Sequence, residues 1–519
     1  MKTARTFATL IGLMGILVAF ASAGGCSSSK NGAGAGSGDG GDDGSCTSYV
    51  PGACGTGNSS GGGGDSGGIT GFGSSGGTSS GATFMNYMCG QSTCSNGAST
   101  TISGRVYDPA NVNPVYNVTV FSPAMTPPPL PSGAVCSCSS LYPSVCASSV
   151  TDANGNFKIT NAPDGTSVPI TIQSGKWRRN FTFPIKKCQD NPLPDHMLRL
   201  PTKTSEGDMP EIAVSTGAAD SLECLLMRMG IDKTEYQAGP GTPGKGHIHI
   251  FTGAGGVGGA ALQGGVAYDP GQWLWDKDSD MAPYDVTLFS CEGTETAHIN
   301  AAGQQVLLDY ANKGGRVFAS HFHYALFNTG PFATTPKQPV ATWTTGANID
   351  NDPISGVLST TITSGSNMGK PFPEGVALQA WLGTVGALTN GKLPIHYARD
   401  NAVVTMANIP SQIWMTADNT SLQPGNAQYF SFETPFAGTS TDVGACGGRV
   451  VFSDLHVAGG PNNMADPNTD YPGFSPGIVP SGCTAHPLTP QEKALEFMIL
   501  DLSSCLIVPG GTPVYPMPM

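Results

Sequence analysis

Two stretches of the sequence decide the fold: residues 284–293 are YDVTLFSCEG, and residues 307–324 are LLDYANKGGRVFASHFHY. In the first stretch, residues 284–289 have the β-branched and aromatic content of a short buried strand. In the second, apolar residues at helical spacing end at Gly314-Gly315, and residues 316–319 resemble another buried strand. Strand, helix and strand in this order predict a parallel sheet that helices cover on both faces.

The same alternation extends from residue 205 to residue 508, which we assign to one α/β domain. Residues 247–251 form a short strand before a Gly-rich loop, and residues 448–452 form a late strand. Thr489-Pro490-Gln491-Glu492 has the signature of a capping box, with Pro at the first helical position, and predicts the last helix. Residues 509–519 are a Pro-rich tail.

Three motifs of this domain carry a family resemblance: YDVTLFSCEG, LLDYANKGGRVFASHFHY and CGGRVVFSDLHV, the last at residues 446–457. Together they resemble the class I glutamine-amidotransferase-like superfamily, and within it the trehalose-utilisation-like branch. The resemblance implies a flavodoxin-like parallel sheet. Residues 325–375 and 457–487 fall outside it and have the character of insertions.

Residues 99–200 have a different pattern, with several short alternating strands separated by turns, which predicts an all-β sandwich. Asn154-Gly155 between two alternating runs predicts a hairpin turn. The motifs ISGRVYDP, at residues 102–109, and TDANGNFKIT, at residues 151–160, resemble the carboxypeptidase regulatory-like domain, a transthyretin-like sandwich. That family is a non-catalytic accessory module of exported proteins.

The N-terminus predicts export. Lys2 and Arg5 precede an apolar run over residues 7–20, and the small residues Ala23-Gly24-Gly25 lead to Cys26. This is a secretory signal over residues 1–25. It resembles a bacterial lipobox, which implies cleavage before Cys26, a lipid on its thiol and, since residue 27 is Ser, the outer membrane or cell surface. The lipid would then be the contact with the membrane.

Residues 26–98 are rich in Gly and Ser and predict a flexible tether. The arrangement of signal, tether, β-sandwich and α/β domain is similar to that of myxobacterial-type exported lipoproteins. The net charge is −13, without a basic cluster, which excludes nucleic acid as a partner.

The 14 cysteines agree with an oxidising compartment. If Cys26 carries a lipid, an odd number remains, so at least one thiol is free or bonded to another molecule. Proximity along the chain suggests four pairs: Cys46–Cys54, Cys89–Cys94, Cys188–Cys224 and Cys446–Cys483.

Polar residues follow three predicted strands, and in a parallel sheet these ends meet at one edge, where ligands bind. The residues are Cys291 and Glu292, His321 and His323, and Asp454 and His456. By the resemblance, Cys291 would be a nucleophile, His321 or His456 its base, and Asp454 or Glu292 the orienting group. The alternative is a buried or disulfide-bonded structural cysteine.

A second hypothesis for the same edge is a metal site at His321, His323 and His456, for zinc or another divalent ion. His247 and His249 have the same spacing on a strand and are a weaker candidate. Hydrogen-bonded histidines at strand ends are the alternative in both cases. The Gly-rich loop at residues 253–259 has no P-loop lysine, so we predict no cofactor-binding residues.

The sequence therefore favours a lipid-anchored envelope protein with a non-catalytic binding or structural role, acting on a glycan or a protein ligand. The alternative is a hydrolase of amide or glycosidic bonds that uses the strand-end cluster.

Overall fold

The computed structural model describes residues 89–504 with internal gaps. The gaps are residues 136–140, 218, 241–244, 252, 254–274, 276, 294, 296–299, 335–338, 345–357, 363–364, 368–369, 396–397, 409–410, 419–425, 437–446, 457–479 and 481. All described residues belong to one compact unit, Ser75–Met519. The predicted signal sequence, the predicted lipidation site Cys26, most of the predicted tether and the Pro-rich tail lie outside the described residues.

The first part of the described chain forms two facing sheets. Its strands are β1 (Thr101–Tyr107), β2 (Thr119–Pro123), β3 (Val145–Val150), β4 (Asn156–Ile159), β5 (Gly165–Ser174), β6 (Trp177–Ile185), β7 (Asp190–Pro192) and β8 (Leu198–Arg199). One sheet has the antiparallel order β3-β2-β5-β6, and the other has the order β4-β1-β7, with β8 also paired to β1. Alternating residues such as Ile102, Val120 and Ile170 fill the core between them.

The hairpin predicted at Asn154-Gly155 is wrong, although the turn itself is present. Strand β3 pairs with β2, whereas β4 pairs with β1 in the other sheet, so the turn connects two sheets. Asp152 Oδ1 accepts the backbone N–H groups of Asn154 (2.8 Å) and Asn156 (2.9 Å) and so shapes the turn. Gly155 has φ +73°, and a Cβ there would lie 2.8 Å from the carbonyl oxygen of Val106.

The remaining strands are built mainly into one large sheet. Their bounds are β9 (Ile212–Ser215), β10 (Tyr236–Ala238), β11 (Ile248–Phe251), β12 (Val286–Phe289), β13 (Arg316–Ser320), β14 (Thr342–Trp343), β15 (Leu358–Ile362), β16 (Gly365–Asn367), β17 (Lys370–Phe372), β18 (Leu393–Ile395), β19 (Ala402–Val403), β20 (Gln412–Ala417), β21 (Ala427–Glu433) and β22 (Arg449–Ser453). The ten-stranded sheet has the order β10-β11-β9-β12-β13-β22-β21-β20-β15-β18.

Four of the ten strands of this sheet differ from the prediction. Strands β10 to β22 in that order are parallel, as the sequence predicts. The next four strands, β21, β20, β15 and β18, are antiparallel. Strand β15 lies inside residues 325–375, which the sequence analysis treated as an insertion. The extra strands extend the sheet because the outer edge of β22 would otherwise leave backbone groups unpaired.

Six α-helices accompany the large sheet in the described residues. They are α1 (Leu222–Arg228), α2 (Asp278–Met281), α3 (Ala301–Asn312), α4 (Gly330–Thr334), α5 (Pro373–Thr384) and α6 (Pro490–Ser503). Along β13, Phe318 joins the core formed with α1, α5 and α6, whereas Val317 and Ala319 join the core formed with α3. The predicted capping box of α6 is confirmed, since Thr489 and Glu492 bond reciprocally.

The two facing sheets of the first part and the ten-stranded sheet share one hydrophobic core. Polar contacts join them as well. Trp381 Nε1 on α5 donates to the carbonyl oxygen of Pro114 (2.6 Å), and Asn113 Nδ2 donates to Glu496 Oε2 on α6 (2.7 Å). Two segments that the sequence separates into domains therefore pack as one unit.

The regular secondary structure of the described residues is mostly β-sheet, with few helices. Among the described residues, none of the helices has the length and apolar character needed to cross a membrane.

Three disulfides among the described residues indicate an extracellular or exported protein. They join Cys89 to Cys146, Cys94 to Cys188 and Cys224 to Cys483. The predicted pairs Cys89–Cys94, Cys188–Cys224 and Cys446–Cys483 are therefore wrong, and Cys46–Cys54 lies outside the described residues. The pairs are 57, 94 and 259 residues apart in sequence, yet their Cα atoms lie within 5.5 Å. Tertiary packing, rather than proximity along the chain, selects them.

Candidate functional site

Four segments meet at the carboxyl edge of the parallel strands. Cys291 follows β12, His321 follows β13, His456 follows β22, and Asp220 lies between β9 and α1. Strands β9 and β12 are neighbours in the sheet, while the chain runs from β9 to β11 on the other side. Such a switch point leaves a crevice beyond the strand ends. We call these four residues the carboxyl-edge cluster.

Cys291 is fully buried and has no disulfide partner. Its Sγ lies 3.4 Å from Nδ1 of His321. Its carbonyl oxygen accepts the backbone N–H of Ala219 at 3.0 Å, which ties β12 to the segment that carries Asp220. Burial, with a smaller contribution from the charge of Asp220, raises the pKa of the Cys291 thiol to about 12. In the protein without ligands, this thiol is therefore protonated near neutral pH.

His321 lies at the point where β13 stops being extended. The strand ends at Ser320, and a 3-10 helix covers His321–Leu326. His321 itself has φ +42°, a left-handed conformation that costs energy for a residue with a Cβ. Burial, together with neighbouring His456 and Arg399, lowers the pKa of His321 well below its usual value. Its Nε2 is buried, without a hydrogen-bond partner among the described residues.

His456 is held by a carboxylate that sequence reasoning missed. Its Nδ1 lies 3.3 Å from Oδ2 of Asp220, which also accepts a hydrogen bond from Ser320 Oγ at 2.7 Å. The rings of His456 and His321 meet edge to face, with centroids 4.8 Å apart. The sequence signal for Asp220 is its position after one strand, β9, and before a helix, α1.

Asp454 and Glu292, the predicted orienting groups, have other contacts. Asp454 Oδ2 accepts the backbone N–H groups of Asn401 (2.7 Å) and Ala402 (2.9 Å), so it shapes that loop. Burial raises the pKa of Asp454 to about 8. Glu292 Oε1 lies 3.9 Å from Nε2 of His323. The carboxylate that faces a histidine of the cluster is instead Asp220.

His323 does not share a ligand group with His321, so the predicted trio of His321, His323 and His456 is corrected. The 3-10 helix breaks the alternation that would place both histidines on one face. His323 Nδ1 lies 3.2 Å from the carbonyl oxygen of Ser320. Within the described part of the chain, the possible metal ligands that come together are Cys291, His321 and His456, with one donor atom from each within 4.8 Å of the others.

The opposite, amino edge of the same strands borders an open cleft of about 1050 Å³. Residues 129–133 of the first part of the chain form one wall, and the starts of β9, β11 and β12 form the other. We call this the amino-edge cleft. The sequence alone does not predict this cleft, because its walls come from segments far apart in the chain.

Charged groups line this cleft in contact with one another. His247 lies 3.4 Å from Glu211 and 3.3 Å from Glu235, and His249 lies 3.5 Å from Glu211. Asp285 pairs with Lys176 at 2.5 Å, which joins the two walls. His247 and His249, the weaker metal pair of the sequence analysis, therefore both contact one carboxylate.

Comparisons with known proteins add little. No family model matches the chain, and no curated protein matches it. Among solved structures, two mutant type II cohesin–X-dockerin complexes from Acetivibrio cellulolyticus match at 16% identity. The C-terminal interface mutant matches 27% of this chain and 75% of its own, with a TM-score of 0.14. The N-terminal interface mutant matches 26% of this chain and 85% of its own, with a TM-score of 0.15.

Proposed function

We propose that this protein is an exported, lipid-anchored protein of the cell envelope that binds a ligand without transforming it. The observation that carries the proposal is the contrast in access between the two edges of the sheet. The amino-edge cleft is open, whereas each member of the carboxyl-edge cluster is at most 5% exposed. A ligand can enter the first without rearrangement of the fold.

The domain assignments support an accessory and binding role. Residues 99–200 would be a carboxypeptidase regulatory-like, transthyretin-like sandwich, and the two facing sheets support this. Residues 205–508 would be an amidotransferase-like domain. When the parallel edge strand β10 is left out, the other five parallel strands, β11-β9-β12-β13-β22, have the order second, first, third, fourth, fifth, which is the flavodoxin-like order. Fold alone does not assign an activity.

The anchor rests on the sequence of residues 1–26, and the three disulfides support export. Replacing Cys26 with Ser should move the protein from the membrane fraction to the soluble exported fraction, measured by fractionation of cells. As a control, Ser27→Ala should leave the membrane fraction unchanged. If the Cys26→Ser protein stays in the membrane fraction, the lipid anchor is disproved.

The chemistry of the amino-edge cleft favours a ligand with an ammonium group. Three carboxylates, Asp208, Glu211 and Asp285, line it against a single lysine, Lys176. An envelope glycan with amino sugars and a lysine-rich protein segment both supply ammonium groups. Chitosan oligosaccharides and an oligolysine peptide separate these sources by calorimetric titration of the full protein, with N-acetylated oligosaccharides as the neutral comparison.

Glu211→Gln should weaken binding of the preferred probe by about tenfold, since it removes one charge-assisted contact worth about 1.5 kcal/mol. Asp309→Asn, a carboxylate on α3 outside the cleft, is the matched control and should bind as the parent does. Equal binding by the Glu211→Gln protein, or binding of neither cationic probe, would disprove the cleft as the ligand site.

One observation favours a second candidate, a hydrolase: Cys291 Sγ lies 3.4 Å from a histidine nitrogen. A working nucleophile must be accessible as a thiolate. The binding proposal expects Cys291 to react with iodoacetamide more slowly in the native protein than after denaturation. Faster native reaction, with cleavage of amide or glycosidic substrates that Cys291→Ser abolishes, would establish the hydrolase instead.

A further inference from the structure

The carboxyl-edge cluster has donor chemistry that ligand binding in the amino-edge cleft does not use. We propose that Cys291, His321 and His456 bind one zinc-type divalent metal ion, and that Asp220 positions His456 for it. The sulfur and imidazole donors match the ligands zinc takes in proteins. The proposal is independent of the ligand of the amino-edge cleft.

The spacing of the donors fits a shared ion. Bonds of about 2.3 Å to sulfur and about 2.0–2.1 Å to nitrogen, at a tetrahedral angle, place the two donors about 3.6 Å apart. Cys291 Sγ and His321 Nδ1 are 3.4 Å apart. One donor atom from each of Cys291, His321 and His456 lies within 4.8 Å of the others, so modest side-chain rotation brings the ligands to one centre.

The surroundings of His456 are those of a metal-bound histidine. Such a histidine usually gives its second ring nitrogen to a carboxylate, which fixes the orientation of the ring. Asp220 Oδ2 lies 3.3 Å from Nδ1 of His456, and Ser320 holds the same oxygen. With Nδ1 engaged in this way, Nε2 is the ring nitrogen left for coordination. Asp220 thus acts through His456 as a positioning residue.

The cost of this arrangement without an ion also favours a metal. His321 is 1% exposed and keeps a left-handed backbone, a conformation that costs energy for a residue with a Cβ. Backbone strain of this kind is concentrated at functional sites. Coordination of the ion through Nδ1 of His321 would offset part of this cost.

Binding of the metal ion releases one proton. The divalent ion displaces the proton of the Cys291 thiol to solvent, and the thiolate and two neutral imidazoles become ligands. Three protein donors leave the fourth tetrahedral position for a water molecule.

The test uses the full-length protein. Elemental analysis of the purified protein should find about one zinc per chain. After removal of the metal with a chelator, Co²⁺ should restore one site whose spectrum shows a thiolate-to-cobalt charge-transfer band and tetrahedral d–d bands. An absence of bound metal together with no response to Co²⁺ would overturn the proposal, and this readout needs no variant.

Three variants identify the ligands. Cys291→Ser should abolish the charge-transfer band, and Asp220→Asn should lower metal affinity by about 10- to 100-fold while leaving the thiolate band at saturation. His323→Gln is the matched control, because it changes the neighbouring histidine that lies outside the cluster, and it should keep both affinity and spectrum. Retention of the band in Cys291→Ser, or its loss in His323→Gln, would overturn this ligand set.

Discussion

The two edges of the parallel sheet each contain a His-x-His pattern, but the two pairs of histidines are arranged differently. At the amino edge, His247 and His249 flank an extended strand residue, and both contact Glu211. At the carboxyl edge, His321 and His323 separate, because the strand ends at Ser320. A spacing of two residues therefore places two side chains on one face only where the backbone remains extended.

The two edges also differ in how deeply their charged and polar groups are buried. The amino edge gathers carboxylates, histidines and Lys176 around a cleft that water can enter. The carboxyl edge buries Asp220, Cys291, His321 and His456 almost completely. Polar groups buried away from water depend on one another for their hydrogen bonds, so a single substitution there lowers the stability of the fold.

The largest effect is expected where the amino edge joins its other wall. Lys176→Met would leave Asp285 buried without its cation and should lower the free energy of unfolding by about 3–5 kcal/mol. Urea unfolding measures this. Lys392→Met is the control: its partner Asp418 is 39% exposed, and a surface pair of this kind contributes about 0–1 kcal/mol. Equal losses would show that the buried pair has no special weight.

The second-largest loss of stability is expected at the carboxyl edge. Ser320→Ala removes the donor to Asp220 (2.7 Å) in a buried site, and we expect a loss of about 1.5–3 kcal/mol in unfolding free energy. Thr204→Ala is the matched change near the amino edge, since its hydroxyl donates to Glu235 at 3.0 Å. It should cost less, because Thr204 is only partly buried and Glu235 keeps the backbone N–H of that residue. A larger loss in Thr204→Ala would contradict the difference between the edges.

A smaller effect is expected at the start of α6, next to the carboxyl edge. Gln491 Nε2 donates to the carbonyl oxygen of His456 (2.6 Å), so the first turn of α6 supports the cluster. Thr489→Ala removes the cap and should cost about 1 kcal/mol, measured by thermal unfolding. Thr489→Ser keeps the hydroxyl and should be nearly neutral. Similar losses in both variants would mean that packing of the methyl group, rather than the cap, is important.

The smallest effect is a pH dependence at the amino edge. Burial lowers the pKa of His247, but the hydrogen bond to Glu235 and the charge of Glu211 outweigh it, so the pKa is raised above 6.5. The other titratable groups facing this region are Asp208, His249, Asp285 and Lys176. A histidine with a raised pKa stabilises the fold below its unfolded pKa, and the contribution is lost as pH rises through the folded pKa.

Unfolding of the wild-type protein and of His247→Gln at a series of pH values tests this. The stability difference between them should be largest below pH 6.5 and should shrink at higher pH. Cys291 and His321 at the carboxyl edge are not expected to contribute to this pH-dependent difference. A difference that grows with pH would refute the assignment of the charge to His247.

Local sequence patterns predicted several elements well. The strand at residues 284–289, the helix ending at Gly314 and the capping box at Thr489 all occur, with β12 beginning at Val286. Each depends on neighbours in the chain, such as apolar spacing, a C-terminal glycine or a cap. The candidate site was partly predicted for the same reason, since Cys291, His321 and His456 each directly follow a strand or lie within three residues of its end.

Long-range contacts were not predictable in this way. The disulfide partners of Cys89, Cys188 and Cys483, and the place of Asp220 beside His456, depend on which strands become neighbours. The four antiparallel strands of the large sheet could not be predicted for the same reason, because strand pairing depends on two segments together.

By itself, the sequence determined the alternation of strands and helices and the residues at the strand ends. Only the tertiary structure decided that β13 turns into a 3-10 helix at His321, that His323 leaves the cluster and that Asp220 enters it. The reason is physical: side-chain direction follows backbone conformation at each residue, whereas the choice of partner follows from packing between segments distant in the chain.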